Sequence, residues 1–111
     1  MPFELPSPIA AYFGADEKSD PTGEAVAGCF SEDGVVVDEG NTYRGVEAIK
    51  RWNAESYVRF TYTCEPIAIE EKAGRTAVTC HLTGTFPGSP LDLRFVFELK
   101  NNKIAFLEIA P

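Results

Sequence analysis

The sequence predicts an α+β domain in which three short helices come first and cover one face of an antiparallel sheet. Three observations predict it. Apolar residues recur at helical spacing in the N-terminal part of the chain, and they alternate strictly from Phe60 onward. Turn signals at Ala73-Gly74, Pro87 to Pro90 and Asn101-Asn102 divide the alternating part into four consecutive strands. Hairpin connections of this kind make a meander.

Leu5, Ile9, Tyr12, Phe13 and Asp16 fall at helical spacing, and Ala10 and Ala11 add propensity, so a first helix runs from about Ser7 to Lys18. Asp20 before Pro21 is a helix start, because the aspartate accepts from free backbone N–H groups and the proline lacks only a donor that was unpaired anyway. The second helix buries Val26, Cys29 and Phe30 and ends at Asp33-Gly34. Val35-Val36-Val37 is β-branched and reads as a strand with Asp38 at its end. Glu39-Gly40-Asn41-Thr42 is a turn from which Tyr43-Arg44 pairs back. A third helix, roughly Val46 to Val58, sets Val46, Ile49, Trp52 or Asn53, and Tyr57 on one side and the Glu47/Arg51 pair on the other. In the strands, Phe60, Tyr62 and Cys64 alternate with polar neighbours, as do Val78, Cys80 and Leu82, and then Leu91, Leu93, Phe95, Phe97 and Leu99. Such alternation means one covered apolar face and one face open or paired with a partner.

A chain of 111 residues, 44 % hydrophobic and 24 % charged, makes one domain over residues 1–111. With 10 basic and 17 acidic side chains its charge is −7, which repels nucleic acid and anionic membrane surfaces. No apolar stretch approaches the roughly 20 residues needed to cross a bilayer. Val26-Ala27-Gly28-Cys29 matches the pattern before a lipidated cysteine, but charged residues from Asp16 to Glu24 stand where an apolar signal core belongs. Three cysteines, Cys29, Cys64 and Cys80, form neither a disulfide framework nor a zinc spacing. The expectation is therefore a cytoplasmic protein without metal or cofactor.

The order of helix, helix, short strand, helix and four long strands resembles the nuclear transport factor 2-like superfamily, in its SnoaL-like polyketide cyclase and ketosteroid isomerase branch. The resemblance is carried by Tyr12-Phe13, by the run from Cys29 through Asp33-Gly34-Val35-Val36-Val37 to Asp38, and by Tyr43-Arg44-Gly45-Val46-Glu47-Ala48-Ile49. It covers nearly the whole chain, with loose motifs that specify a scaffold better than a reaction. It implies a cone: a strongly curved, mixed sheet wrapped around the three helices, enclosing a blind pocket, often in dimers.

In isomerases of this superfamily an aspartate placed as Asp38 is here moves a proton next to a carbonyl. A carboxylate at a strand end facing a dry pocket has its charged form destabilised, which suits a general base. Tyr12 matches the tyrosine that hydrogen-bonds the developing enolate in those enzymes. The place of their second donor falls near Phe95, which cannot donate. His81, the one histidine, could substitute, but strand parity sets it with Thr79 and Thr83 on the face opposite Val78, Cys80 and Leu82. Cys80 and His81 point to opposite faces for the same reason, so they do not share a metal.

Each of these residues also has a structural reading. Asp38 can cap the turn at Glu39-Gly40, and Tyr12 can be a core residue with its hydroxyl satisfied. Phe13, Trp52, Phe86, Phe95, Phe97 and His81 are the candidate pocket wall, although Trp52, Phe86, Phe95 and Phe97 also suit plain core packing. The functional expectation is a small-molecule-binding protein that abstracts a proton from a small apolar carbonyl compound in isomerisation, cyclisation or dehydration. The alternative is a non-catalytic module that binds a hydrophobic ligand or dimerises. A homodimer through the open sheet face, where Thr61, Thr63, Thr79 and Thr83 gather, is compatible with both.

Overall fold

The computed structural model describes residues 4–17, 21–59 and 61–111. Among them are three helices, α1 (Ser7–Glu17), α2 (Glu24–Ala27) and α3 (Val46–Arg59), and six strands. The strands are β1 (Phe30–Asp38), β2 (Asn41–Arg44), β3 (Tyr62–Lys72), β4 (Arg75–Gly84), β5 (Leu91–Lys100) and β6 (Lys103–Ala110). They form one open sheet in the order β2-β1-β6-β5-β4-β3. The β3–β4–β5–β6 meander is antiparallel throughout, whereas β1 lies parallel to β6, so the sheet is mixed. Among the described residues no helix is long and apolar enough to cross a membrane. Lys18, Asp20, Phe60 and the side chain of Tyr57 lie outside what is described.

Three of the turns follow directly from residue chemistry. Glu39-Gly40, Ala73-Gly74 and Asn101-Asn102 all have positive φ at both positions, the two-residue hairpin geometry whose twist matches that of the strands it joins. The longer β4–β5 connection is tied by the Ser89 hydroxyl, which accepts from the Gly84 amide at 2.8 Å.

The second helix is shorter than its sequence implies. It ends at Ala27, and Cys29 and Phe30 belong to the approach to β1 and its first residue rather than to a helix. Asp33-Gly34 is not a helix stop but part of a bulge, where the β1–β6 register shifts between Phe30 and Val35. The Cys29 carbonyl accepts from Ile104 and so begins the pairing early. Gly34 makes the bulge possible: a Cβ there would stand 3.0 Å from the Ser31 carbonyl and 3.1 Å from the Phe30 side chain. The strand preference of the three valines extends upstream because Gly34 lets the backbone kink without losing the strand.

The core lies between the helices and the inner sheet face. Ile9 and Tyr12 of α1, Val26 of α2 and Ile49 and Trp52 of α3 meet Val36, Val78, Cys80, Phe95, Phe97, Ile104 and Leu107 from the inner face of four neighbouring strands, β1, β6, β5 and β4. Tyr12 stands edge-on to Phe13, Phe30 and Phe97 with centroids 5.1, 6.2 and 5.6 Å away. Phe13 in turn meets Phe95 at 5.4 Å and Phe97 at 5.9 Å. These offset geometries are the favourable ones for aromatic pairs and lock α1 onto β5.

Candidate functional site

One turn of α1 separates Tyr12 from Asp16, so the helix that buries the phenol carries a carboxylate to the same covered side. Asp16 is 7 % exposed, and its Oδ1 accepts from Asn53 Nδ2 at 3.2 Å and, more loosely, from the Tyr62 hydroxyl at 3.5 Å. α1, α3 and β3 are thus joined at one polar knot. Asn53 is itself 2 % exposed, and its Oδ1 is buried without a hydrogen-bond partner among the described residues. Buried acceptors are rarely left this way, so the position calls for an explanation.

Asp38 sits at the end of β1, half-buried, and its Oδ2 accepts from the Trp52 indole at 2.9 Å. This partner reaches it from α3, so the carboxylate is oriented by a side chain across the fold. Tyr12 is the group on which both acids bear. Burial above all, then Asp16, Tyr62, Cys64 and Asp38 as acidic neighbours, push its ionisation well above the ordinary value of 10.0. The neighbouring Cys64 thiol is likewise held protonated, first by its contact with the Cys80 thiol and then by burial. Tyr12 is therefore a neutral, buried hydroxyl whose ionisation is opposed by burial first and then by acidic neighbours, among them Asp16 on its own helix and Asp38 at a strand end.

That shift gives a testable pH dependence. The folded chain holds a phenolic proton that the unfolded chain releases near pH 10, so the native state binds more protons above that pH and stability falls as pH rises. The slope is about 1.4 kcal/mol per pH unit above roughly 10, with no contribution below it. Absorbance titration should show at least one of the four tyrosines still protonated in the folded protein at pH 11 and released on unfolding. Tyr12→Phe should abolish both effects.

Beside the polar knot, a cleft of about 700 Å³ opens between α1 and the β3–β4 edge. Leu5, Ala10, Phe13 and Gly14 form its helical wall, Asp16 and Glu17 its end, and Tyr62 to Pro66 with His81 and Thr83 its strand side. His81 and Thr83 alternate with buried Leu82 and with Cys80, so the cleft extends around the β3 margin of the sheet.

Of the candidate wall residues, Phe13 and His81 border this cleft. His81 is exposed, as strand parity implies, with Nδ1 2.8 Å from Asp92 Oδ1. Trp52, Phe86, Phe95 and Phe97 do not border it. Phe95 and Phe97 do face the helices, but the rings of Tyr12 and Phe13 occupy the space they would have lined. Trp52 is 7 % exposed and committed to Asp38, and Phe86 packs against the core from the β4–β5 connection. Asp38 and Tyr12 stand behind the cleft rather than on its wall. Asp16, Asn53 and Tyr62 were not foreseen as a group. The available signal was a carboxylate at the fifth position of an otherwise apolar helical stripe.

The model of the SnoaL-like domain family matches residues 9–107. Among solved structures, a candidate polyketide cyclase from Sinorhizobium meliloti is 36 % identical, with 96 % of this chain and 99 % of that one covered and a TM-score of 0.89. A hypothetical protein of ketosteroid isomerase-like fold from Catenulispora acidiphila, solved with trimethylamine, is 17 % identical over 97 % of this chain and 87 % of that one, TM-score 0.81. SalBIII, an epoxide hydrolase/cyclase-like enzyme of pyran ring formation in polyether salinomycin, is 21 % identical over 94 % and 87 %, TM-score 0.76. No curated protein matches the chain.

Proposed function

Since the chain belongs to the SnoaL-like domain family and has its nuclear transport factor 2-like fold, we propose that it binds a small, largely apolar carbonyl compound and moves a proton on it without a cofactor. The observation that supports this reading is Asp38 at the end of β1, its carboxylate oriented by the Trp52 indole at 2.9 Å, in a fold that also buries the Tyr12 phenol. In the proposed step Asp38, oriented by Trp52, takes the proton next to the carbonyl, and Tyr12 donates a hydrogen bond to the oxygen as negative charge develops there. The aromatic cage around Tyr12 excludes water, so the phenol stays a donor at neutral pH rather than competing as a base. Access requires the ligand to pass Phe13 from the cleft, and this makes the enclosed end of a cone-shaped pocket part of the proposal.

Asp38→Asn tests it. The amide keeps an oxygen for the Trp52 indole, so the fold should be retained with an unchanged melting temperature. Exchange of α-protons for deuterium in a panel of small ketones, followed by NMR, should fall by about 10²–10⁴-fold. Full exchange in the variant would remove Asp38 from the mechanism.

A second reading has its own support: Asp38 stands off the cleft wall, and Phe95 and Phe97 fill the interior. On that reading the protein binds a hydrophobic ligand without turnover, and the wild type would show ligand-induced stabilisation but no exchange. Either version suits a cytoplasmic homodimer joined through the outer sheet face, where Val35, Val37, Val96 and Phe106 lie half-buried.

A further inference from the structure

We propose that the margin of β3 at residues 64–66 takes up an extended, positively charged peptide segment as an added strand, lodged between that margin and α1. The proposal is independent of proton transfer at Asp38, because it uses the main chain of β3 and exposed groups on the rim of the cleft.

The first support is the direction of the backbone groups. The Thr85 amide donates to the Thr61 carbonyl at 2.9 Å, and the ladder continues in step through Thr63 with Thr83 and Glu65 with His81. Hydrogen-bonded pairs alternate along an antiparallel ladder, so Thr63 and Glu65 turn their amides and carbonyls toward β4, while Cys64 and Pro66 turn theirs away. Pro66 agrees with this assignment, since the donor a proline lacks is here one that would have faced away from β4. β3 ends the sheet, with no described strand on its far side. Residues 62 to 66 border the cleft without a gap, although neighbours on a strand point to opposite faces. The cleft therefore runs along the strand margin, and the Cys64 amide and the Cys64 and Pro66 carbonyls are aimed into it.

The second support is that the sheet is guarded against pairing elsewhere. β2, at the other end of the sheet, has four residues. Beyond Pro66, β3 bulges where its register shifts before Ala68, and it then carries Glu70, Glu71 and Lys72. Short strands, bulges and charges all keep a margin from joining another sheet. At residues 64–66 the guard is α1, whose Ala10, Phe13 and Gly14 stand across the cleft. A second copy's sheet cannot pass that helix, but a single extended segment can lie beside it. At about 700 Å³ the cleft has room for a few residues.

The third support is charge, which selects the occupant. Glu17 and Glu65 border the cleft and are exposed, and among its described lining residues there is no lysine or arginine. The side chains of an added strand alternate between the α1 side and the outer sheet face, where Glu65 stands opposite His81. Apolar residues at alternate positions, with lysine or arginine between them, suit both sides. An acidic segment is repelled by the rim and by the net charge of −7. Main-chain bonds would then hold the segment, and the alternate side chains would choose it.

The experiment uses the full chain, isotope-labelled for NMR, and four hexapeptides capped at both ends. They are KVKVKV, EVEVEV, and KVKVKV with N-methyl groups on either its valines or its lysines. By calorimetry KVKVKV should bind at least tenfold more tightly than EVEVEV. At saturation it should slow hydrogen exchange of the Cys64 amide at least tenfold and leave the Thr63 and Glu65 amides, which already face β4, unchanged. Only one of the two methylated forms should still bind, because amides of a single parity face β3. Glu65→Lys, an exposed change compatible with the fold, should weaken KVKVKV several-fold.

No binding of KVKVKV would overturn the proposal. So would equal affinity for the two methylated forms, or an unchanged Cys64 amide in the saturated complex, since either would mean that the peptide is held by charge alone.

Discussion

Replacing Phe97 by alanine should cost the domain about 4 kcal/mol, the upper part of the range for deleting a buried side chain. Phe97 has no exposed surface and lies mid-sheet on β5, paired with Thr76 of β4 and Leu107 of β6. Its ring is packed by Tyr12 at 5.6 Å and Phe13 at 5.9 Å, so it is the plate on which α1 rests. Neighbours on paired strands cannot close the resulting void, because their spacing is set by backbone hydrogen bonds. Chemical denaturation should show the loss, and the thermal midpoint should fall by roughly 15 °C. A loss below about 1 kcal/mol would mean that the helix–sheet contact is not where the domain keeps its stability.

Gly84→Ala should be nearly as damaging, by roughly 3 kcal/mol, for the opposite reason. Gly84 pairs with Tyr62 across the β3–β4 ladder. A Cβ at this glycine would lie 2.3 Å from the Thr61 carbonyl oxygen and 2.6 Å from the Tyr62 Cβ. Neither neighbour is the loose end of a long side chain, so the first residues of β3 would have to move away. Tyr62 would move with them, and with it the hydroxyl that reaches Asp16. The variant should therefore lose both thermal stability and any ligand-induced shift at the cleft. If stability falls but ligand binding is kept, Tyr62 is not part of the site.

The strand faces were legible in the sequence because period two is a local property. The alternation of Val78, Cys80 and Leu82 with Thr79 and His81 places the buried and exposed sides correctly with no knowledge of the partner strands. The bulge at Asp33-Gly34 was not legible as such, since a glycine after a short apolar run reads equally as a helix stop or as a strand kink. The choice is settled by Ile104, 75 residues downstream of Cys29, whose amide pairs with the Cys29 carbonyl. Asp38 was identified by its position, but its Trp52 partner depends on how α3 crosses β1. The knot of Asp16 and Asn53 joins residues 37 apart on two helices, and no local pattern pairs them. Phe95 and Phe97 were placed on the right face, yet whether such a face is a wall or a filled interior depends on the tilt of α1.

β6, the last of the six described strands, is hydrogen-bonded on both sides, to β1 and to β5. A nascent polypeptide that has not yet released Lys103 from the ribosome therefore holds two unjoined pieces, the β1–β2 hairpin with its helices and the β3–β4–β5 meander. Each exposes a strand margin that only the final segment can seal. The sheet of this domain is thus continuous only once β6 has taken its place between its two neighbours.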